Sequence, residues 1–140
     1  MKRTRIRRGS ASAATRKHLD ELFRQAILLR DRSTCRRCGA GKKSGRGGGV
    51  QAAHILPKGT WRSMRYDMEN GIALCASCHI YGKGAWHKDP DAAIRWATKH
   101  LGKNFIARLR ERGRMLKPRK DPILTELFLR QVIKRLEAKS

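Results

Sequence analysis

Hydrophobic residues recur at helical spacing in two long stretches near the ends of the chain. The first stretch, Thr15 to about Arg30, predicts a helix whose apolar stripe packs on the middle of the chain. The last stretch, about 122–138, follows Asp121-Pro122, a pair that favours a helix start. An amphipathic helix in this position either docks on its own chain or forms a dimer face, and we favour docking. The apolar positions of the two helices are Leu19, Leu22, Phe23, Ala26, Ile27 and Leu29, and Leu124, Leu127, Phe128, Val132, Ile133 and Leu136.

Two shorter helices are predicted between these stretches. Asp89 and Pro90 again form an N-cap and a first helical residue, and the helix runs to about residue 100 before Gly102. The next helix covers Asn104 to Arg112 and is stopped by Gly113. The core positions predicted for the first of the two helices are Ile94, Trp96 or Ala97, and Leu101.

Two short apolar runs predict β-strands in the middle of the chain. Val50 to Leu56 is halted by Pro57, and Ile72 to Leu74 follows the turn dipeptide Asn70-Gly71. The loop between them is basic and contains Trp61. This side chain could contact a sugar or base, or it could fill a small core.

The charge of the chain is strongly unbalanced. Lys and Arg number 34 against 11 Asp and Glu, for a net charge of +23, which favours a nucleic-acid partner over a merely soluble surface. Residues 1–14 are basic without an apolar period, and they predict either a disordered arm that orders on nucleic acid or a solvated tail. The candidate DNA-binding residues are Arg36, Arg37, Lys42, Lys43, Arg46, Lys58, Arg62, Arg65 and Lys83.

Four cysteines form two Cys-x-x-Cys pairs, Cys35 with Cys38 and Cys75 with Cys78. The sequence contains no apolar run of membrane-span length and no signal-peptide pattern, so we expect a cytoplasmic protein in which disulfides are disfavoured. Two such pairs then predict a zinc site, and four thiolates close its coordination, which makes the zinc structural. The segment 40–49 is a Gly-rich, flexible loop without the residue order of a P-loop.

Three polar residues lie in order between and beside the cysteine pairs: His54, Asn70 and His79. A neutral imidazole can take a proton from water, an amide can hold a loop or a ring, and a second imidazole can bind a divalent cation. Each residue also has a structural alternative. His54 could be a hydrogen-bonded strand residue, Asn70 could only form the turn, and His79 could lie beside the zinc or replace a cysteine there.

The combined pattern resembles the branch of the HNH endonucleases that carries a four-cysteine zinc, of which many members are phage or bacterial proteins. It consists of Ala53-His54-Ile-x-Pro57 and Asn70-Gly-Ile-Ala-Leu-Cys75-x-x-Cys78-His79, with Cys35-x-x-Cys38 upstream, and covers about residues 30–90. The resemblance implies a ββα-metal fold and DNA cleavage that depends on a catalytic Mg²⁺ or Mn²⁺. It also implies that His54 is the general base, that Asn70 positions His54 or its loop, and that His79 binds the cation.

The chain departs from the family pattern directly before the general base. Family members often place an Asp or His there as a second cation ligand, whereas this chain has Ala53. His87 is our candidate for the missing ligand, because it follows His79 across a Gly-rich turn. The other residues that could serve, directly or through water, are Gln51, Asp67, Glu69 and Asn70.

These observations predict a small α+β protein with a ββα-metal core, clamped by a four-cysteine structural zinc and flanked by α-helices at both ends. The expected organisation is a basic arm at 1–14, a nuclease domain at 15–113 with its core at 30–90, and a linker with the amphipathic helix at 114–140. The expected function is metal-dependent hydrolysis of DNA, by nicking or cutting. The first alternative is a non-catalytic zinc module that binds nucleic acid. The second is a junction-specific resolvase or a recombination-associated nuclease on the same fold, which could form a homodimer through the C-terminal helix. The third is an accessory nuclease of phage DNA packaging, and phage or recombination proteins are the possible protein partners.

Overall fold

A computed structural model describes residues 12–41, 49–118 and 121–140, and within these ranges the chain has the predicted small α+β architecture. It consists of a two-stranded antiparallel sheet and four α-helices, with short helical turns between them. The main elements are α1 (Ala13–Arg30), β1 (Val50–His54), β2 (Gly71–Cys75), α2 (Pro90–Leu101), α3 (Lys103–Met115) and α4 (Pro122–Ala138).

Some predicted features lie outside the described residues. They are positions 1–11 of the basic arm and most of the Gly-rich loop, including Lys42, Lys43 and Arg46. Among the helices that are described, none combines the length and the apolar character needed to cross a membrane.

The two strands form a hairpin whose register places Val50 opposite Cys75 and His54 opposite Gly71. β1 is shorter than predicted, since it ends at His54 and not at Leu56, and β2 extends the predicted strand by one residue at each end. A one-turn π-helix, Ser77–Tyr81, follows β2 and completes the ββα order. Gly71 belongs to β2 with an ordinary extended backbone, so its role is not to form a turn. It leaves room for the side chains of Phe23 and Ile27.

α1 packs on one face of the sheet. Ser12 caps the helix by accepting a 3.1 Å hydrogen bond from the Thr15 amide, so α1 begins at Ala13, two residues earlier than predicted. Five of the six predicted apolar positions are buried, but Leu29 is 37% exposed because it lies on the outer edge of the stripe. The face contributes a core cluster with Ala73 of β2 and Leu129 of α4.

The C-terminal end of α1 is tied to β2 by hydrogen bonds of Arg30 and Asp31. Asp31 is only 5% exposed, and its carboxylate accepts hydrogen bonds from the Arg30 guanidinium and, at 2.9 Å, from the Ala73 amide. Arg30 also donates to the carbonyls of Met68 and Gly71. Because a buried carboxylate is costly without such partners, this network fixes where α1 crosses the strand.

α2 and α3 cover the opposite face of the sheet, since alternate residues such as Ile72 and Leu74 point away from α1. α2 begins as predicted, with the Asp89 carboxylate accepting from the Ala92 amide and Pro90 in the first turn. The predicted core positions of this helix are only partly right. Ala93 and Ala97 are buried, whereas Ile94, Trp96 and Leu101 are half-buried at the rim.

α3 is longer than predicted, and the prediction that Gly113 ends it was wrong, because the helix continues to Met115. A Cβ atom at Gly113 would lie 2.6 Å from Trp61 Cε3 and 3.0 Å from Met64 Cγ. Gly113 therefore allows α3 to approach the loop closely. Trp61 is partly buried and packs against the core there, with the Arg114 guanidinium 5.9 Å from its ring centre, which favours the core role for this side chain.

α4 docks on α1 of the same chain. Leu129 is fully buried in the cluster with Leu22 and Phe23, and His18 Nε2 lies 3.1 Å from a Glu126 carboxylate oxygen. Two of the predicted apolar positions are not buried by this packing, since Leu124 and Leu127 are 63% and 58% exposed. The helix has more apolar surface than α1 can cover, which the sequence period alone could not reveal.

Candidate active site

The four cysteines form a compact tetrad at one end of the hairpin. Their sulfur atoms all lie within 4.8 Å of one another, and Cys38 Sγ is 3.7 Å from Cys75 Sγ. Two sulfurs on a tetrahedral zinc with Zn–S bonds of about 2.3 Å would be about 3.8 Å apart. The turn that presents the first pair needs Gly39, whose φ is +77°, and its amide donates to the Cys35 carbonyl at 2.9 Å. The tetrad therefore fits a structural zinc ion.

The backbone around Cys35 favours its thiolate form, whereas burial and the neighbouring thiols raise the pKa of Cys78. Burial raises the pKa of the Cys35 thiol, but amides of Cys75, Cys38 and Arg37 outweigh this and lower that pKa to about 7. Amides that point at a sulfur stabilise the thiolate form, which is the form that binds zinc. The Arg37 guanidinium donates to the Gly84 carbonyl at 2.7 Å and so ties the first cysteine turn to the segment that follows the second.

A cleft of about 440 Å³ lies between α1, the hairpin and the start of α2. It brings together the predicted residues His54 and His79 and the candidate ligand His87. His54 comes from the end of β1, His79 from the π-helical turn, and His87 from the loop before α2. The cleft is therefore built by residues that are far apart in the sequence.

His54 is held in a defined orientation. Its Nε2 lies 2.8 Å from the Arg65 carbonyl, which can only accept, so Nε2 carries the proton and Nδ1 keeps its lone pair. The ring stacks on Phe23 at a centroid distance of 5.1 Å, and the Trp86 indole N–H donates to the His54 carbonyl at 3.0 Å. Burial lowers the pKa of His54 below its ordinary value, which the bond to Arg65 only partly offsets.

His79 and His87 form a close pair on the other side of the cleft. Their Nε2 atoms are 2.8 Å apart, and His79 Nδ1 lies 2.7 Å from Gln51 Oε1. The Gln51 oxygen accepts from Nδ1–H, so Nε2 of His79 has the lone pair that faces His87. Burial, together with the charges of His87 and His54, lowers the pKa of His79 to about 4. A neutral imidazole with this orientation can hold a divalent cation.

Asn70 lies beneath the cleft and not on its wall. It is fully buried, and its Oδ1 accepts from the Leu56 amide at 2.7 Å. Its Nδ2 donates to the carbonyls of Leu56 and Met64, both at 3.0 Å. These three bonds hold the loop that leaves β1 directly after His54. This geometry favours the loop over the ring as the part that Asn70 positions.

Of the other ligands considered for the cation, only Gln51 approaches the histidine pair. Asp67 and Glu69 both accept from the Arg112 guanidinium, at distances of 2.8–2.9 Å, and they are not among the described residues that line the cleft. Arg112 belongs to α3, so this ion-pair cluster holds α3 against the loop before β2.

The predicted DNA contacts have different surroundings. Lys58 lines the cleft, Arg62 and Lys83 are exposed, and Arg36 is half-exposed with a nitrogen 3.6 Å from Asp31. Arg65 is engaged elsewhere, since its guanidinium donates to both carboxylate oxygens of Asp20, at 2.9 and 2.6 Å.

Three residues that shape the surroundings of His54 are among the cleft residues that were not identified as site residues from the sequence. Asp20 and Phe23 come from α1, more than thirty positions before His54, and Trp86 comes from the loop after His79. The helical period explains the burial of Phe23, but no motif marks Asp20. The preference of tryptophan for a polar partner when buried was the one available signal for Trp86.

Comparison with protein families supports the same segment. The family model described as HNH endonuclease matches residues 35–81, which include the cysteine tetrad and His54, Asn70 and His79 but not α1, His87 or the three C-terminal helices. Searches of curated proteins and of solved structures each found no match to the chain. Residues 35–81, with their zinc-type tetrad and their ordered His, Asn and His, are therefore similar to the HNH endonuclease family over about a third of the chain.

Proposed function

We propose that this protein is a metal-dependent endonuclease that hydrolyses phosphodiester bonds in DNA. The observation that carries the proposal is the arrangement of three histidines around one cleft. His54 presents an unprotonated Nδ1, and His79 and His87 present a pair of Nε2 atoms 2.8 Å apart. A base and a cation site that share a cleft are the two components that phosphodiester hydrolysis requires.

His54 acts as the general base in this proposal. Because burial lowers its pKa, the imidazole is neutral at pH 7, and Nδ1 can take a proton from the attacking water. The resulting imidazolium keeps its Nε2–H bond to the Arg65 carbonyl, which stabilises the positive charge. Asn70 supports this step indirectly, since it fixes the loop that begins after His54.

His79 and His87 would hold the divalent cation. When bound, the cation would stabilise negative charge on the phosphate and on the leaving oxygen. Gln51 orients His79 by accepting from its Nδ1–H, as the outer partners of metal-binding histidines commonly do. Imidazole nitrogens suit first-row transition metals better than Mg²⁺, which prefers oxygen ligands. Of Mg²⁺ and Mn²⁺, the donor set therefore favours Mn²⁺.

The charge of the chain favours DNA as the substrate. A net charge of +23 rewards contact with a phosphate backbone, and Lys58 places one such charge at the cleft. Backbone contacts of this kind position the duplex without reading its sequence. We therefore expect binding that is largely independent of sequence and that weakens steeply as salt is raised.

Cleavage of supercoiled plasmid tests the proposal. The zinc-loaded protein would be assayed with Mg²⁺, with Mn²⁺ and with a chelator, beside variants His54→Ala and His79→Ala. His100→Ala is a matched control, because His100 is exposed and stacks on Trp96 outside the cleft. We expect nicked or linear product only with metal, more with Mn²⁺ than with Mg²⁺. We also expect loss of cleavage in both cleft variants with DNA binding retained, and wild-type cleavage by His100→Ala.

Two outcomes would contradict the proposal. If His54→Ala cleaved at the wild-type rate, His54 would not be the base. If the wild-type protein bound DNA but cleaved none with any divalent metal tested, the chain would be a zinc-stabilised binding module and the cleft would be part of its scaffold.

A further inference from the structure

We infer that Asp20 of α1 is a positioning residue for His54 and acts through Arg65. The inference rests on the proposed role of His54 as the base, and it extends the site beyond the segment that matches the family model. Asp20 lies fifteen positions before the start of that segment at Cys35. It nevertheless lines the cleft beside His54.

The first step of the argument is the contact between Asp20 and Arg65. The carboxylate accepts two hydrogen bonds, from Arg65 Nε at 2.9 Å and from Nη2 at 2.6 Å. A two-point contact between a carboxylate and a guanidinium fixes the plane of both groups, which a single bond does not. Burial raises the pKa of Asp20, but the bonds and charge of Arg65 outweigh this, so the carboxylate is ionised at neutral pH.

The second step is the contact between Arg65 and His54. The residue whose side chain Asp20 clamps is the one whose backbone carbonyl accepts from His54 Nε2, at 2.8 Å. The Arg65 guanidinium also lies 5.7 Å from the centre of the Tyr66 ring, so the side chain is held from two directions. With both ends of Arg65 engaged, its carbonyl has a fixed position for the imidazole.

The third step is the consequence for the chemistry of His54. A neutral imidazole carries its proton on one nitrogen, and the hydrogen bond made by that nitrogen decides which one it is. The Arg65 carbonyl selects Nε2–H and thereby leaves Nδ1 as the base. α1 contributes a second restraint, because Phe23, one helical turn from Asp20, stacks on the same ring at 5.1 Å.

The charged groups around the His54 ring increase the expected effect of removing Asp20. The groups that face His54 are Arg24 on α1, Lys58 and Arg65 on the loop, and His79 and His87 across the cleft. Among the described residues that line the cleft, Asp20 is the one carboxylate. Its removal would leave the Arg65 guanidinium beside the ring without its partner.

Nitrogen NMR of the His54 imidazole tests the inference without relying on catalysis. Long-range ¹H–¹⁵N correlation spectra of the full-length, zinc-loaded protein at neutral pH report which ring nitrogen is protonated. We expect the wild type to show Nε2–H alone and Asp20→Asn to show shifts averaged between the two tautomers. Asp20→Glu, which keeps the carboxylate, should largely restore Nε2–H. Glu111→Gln changes an exposed carboxylate of α3 that does not line the cleft, and it should leave the spectrum unchanged.

Plasmid cleavage by the same variants provides the second readout. We expect Asp20→Asn to lower kcat about ten- to a hundredfold, with KM for DNA changed less than about threefold, because the base is misplaced while the DNA contacts remain. Asp20→Glu should recover most of the loss. If Asp20→Asn does not fold, Arg65→Lys keeps the charge but lacks the two-point contact, and it should shift the tautomer in the same direction.

The two readouts separate the failure of this inference from the failure of the proposed function. A folded Asp20→Asn protein with the wild-type tautomer and wild-type kcat would overturn the inference and leave the nuclease proposal standing. If no protein cleaved DNA but Asp20→Asn still lost the Nε2–H tautomer, the proposed function would fail, and Asp20 would remain a residue that orients His54 without a catalytic consequence.

Discussion

Substitution of Asn70 by alanine should destabilise the protein by about 2–6 kcal/mol, because it leaves two buried polar groups unsatisfied. Asn70 makes three hydrogen bonds from a fully buried position, to the Leu56 amide, the Leu56 carbonyl and the Met64 carbonyl. The Met64 carbonyl keeps a second hydrogen bond, from the Asp67 amide at 3.2 Å, so the loss of its bond to Asn70 costs little. The two Leu56 groups lose the partner that satisfies them, and a buried polar group left in this state costs about 1–3 kcal/mol.

Urea or guanidinium denaturation of the zinc-loaded protein measures this change. Domains of this size have unfolding free energies of about 5–15 kcal/mol, so the variant should show a clearly lower midpoint with an unchanged slope. Asn104→Ala is the matched control, because Asn104 is exposed near the start of α3 and should change stability by less than about 0.5 kcal/mol.

The result also distinguishes two roles for Asn70. A loss below about 1 kcal/mol would refute the reasoning, because it would mean that water or a neighbouring group replaces all three bonds. A large loss of stability, together with cleavage that recovers when the variant is assayed well below its midpoint, would make Asn70 a structural support for the loop. Loss of cleavage in a fully folded variant would mean that the loop also has to be held for His54 to act.

Three further predictions follow from the packing and the charges. Gly113→Ala should destabilise the protein by about 1–3 kcal/mol, because its Cβ would lie 2.6 Å from Trp61, although alanine favours a helix. Gly59→Ala is the control, since a Cβ there meets nothing within 4 Å, and equal thermal midpoints for the two variants would contradict the packing argument. Metal analysis should find one zinc per chain, and Cys75→Ser should lose it and lower the thermal midpoint, whereas full zinc content in that variant would argue against the tetrad. The pKa of His54 lies below its ordinary value of 6.5, and a base must be unprotonated to act. We therefore expect log(kcat/KM) to stay level as the pH falls to 6.5 and to decline only below it. A decline centred at pH 7 or above would contradict the assignment of His54 as the base.

The parts of the fold that local chemistry determines could be predicted from the sequence. The Asp-Pro pairs start α2 and α4 where expected, and the two cysteine pairs meet as their spacing suggested. Helix boundaries set by tertiary contacts could not be predicted in the same way. Gly113 normally favours a helix end, but here it lies inside α3, because the close approach of Trp61 leaves no room for a side chain. At that position tertiary packing outweighs the intrinsic preference of glycine for a helix end.

The residues of the candidate site also divide into those that the sequence could identify and those that it could not. The order of His54, Asn70 and His79 was readable because these residues lie on consecutive elements between and beside the cysteine pairs. The contribution of α1 could not be predicted, because the sequence period identifies the buried stripe of the helix but not the element that this stripe contacts. Asp20 lies at the edge of that stripe and looks like an ordinary surface carboxylate until Arg65 is placed beside it.

The register of the hairpin implies that the two sides of the cleft are anchored independently. Val50 pairs with Cys75 at the zinc end, and His54 pairs with Gly71 at the other end, which is about 13 Å away at roughly 3.3 Å per residue. A four-cysteine zinc is therefore too far from His54 to act on it directly. His79, by contrast, is adjacent to Cys78, and its partner Gln51 is adjacent to Val50.

The two anchors therefore support different residues. Phe23 of α1 stacks on His54 and Asn70 holds the loop that follows it, whereas Gln51 orients His79, which directly follows Cys78 of the tetrad. Damage to the tetrad should therefore disturb His79, a proposed cation ligand, before it disturbs His54, the proposed base. The contacts of the cleft thus explain why a matched segment of fewer than fifty residues is supported here by helices from outside it: the segment contains His54, the proposed base, but a wall of the pocket that orients this ring comes from α1.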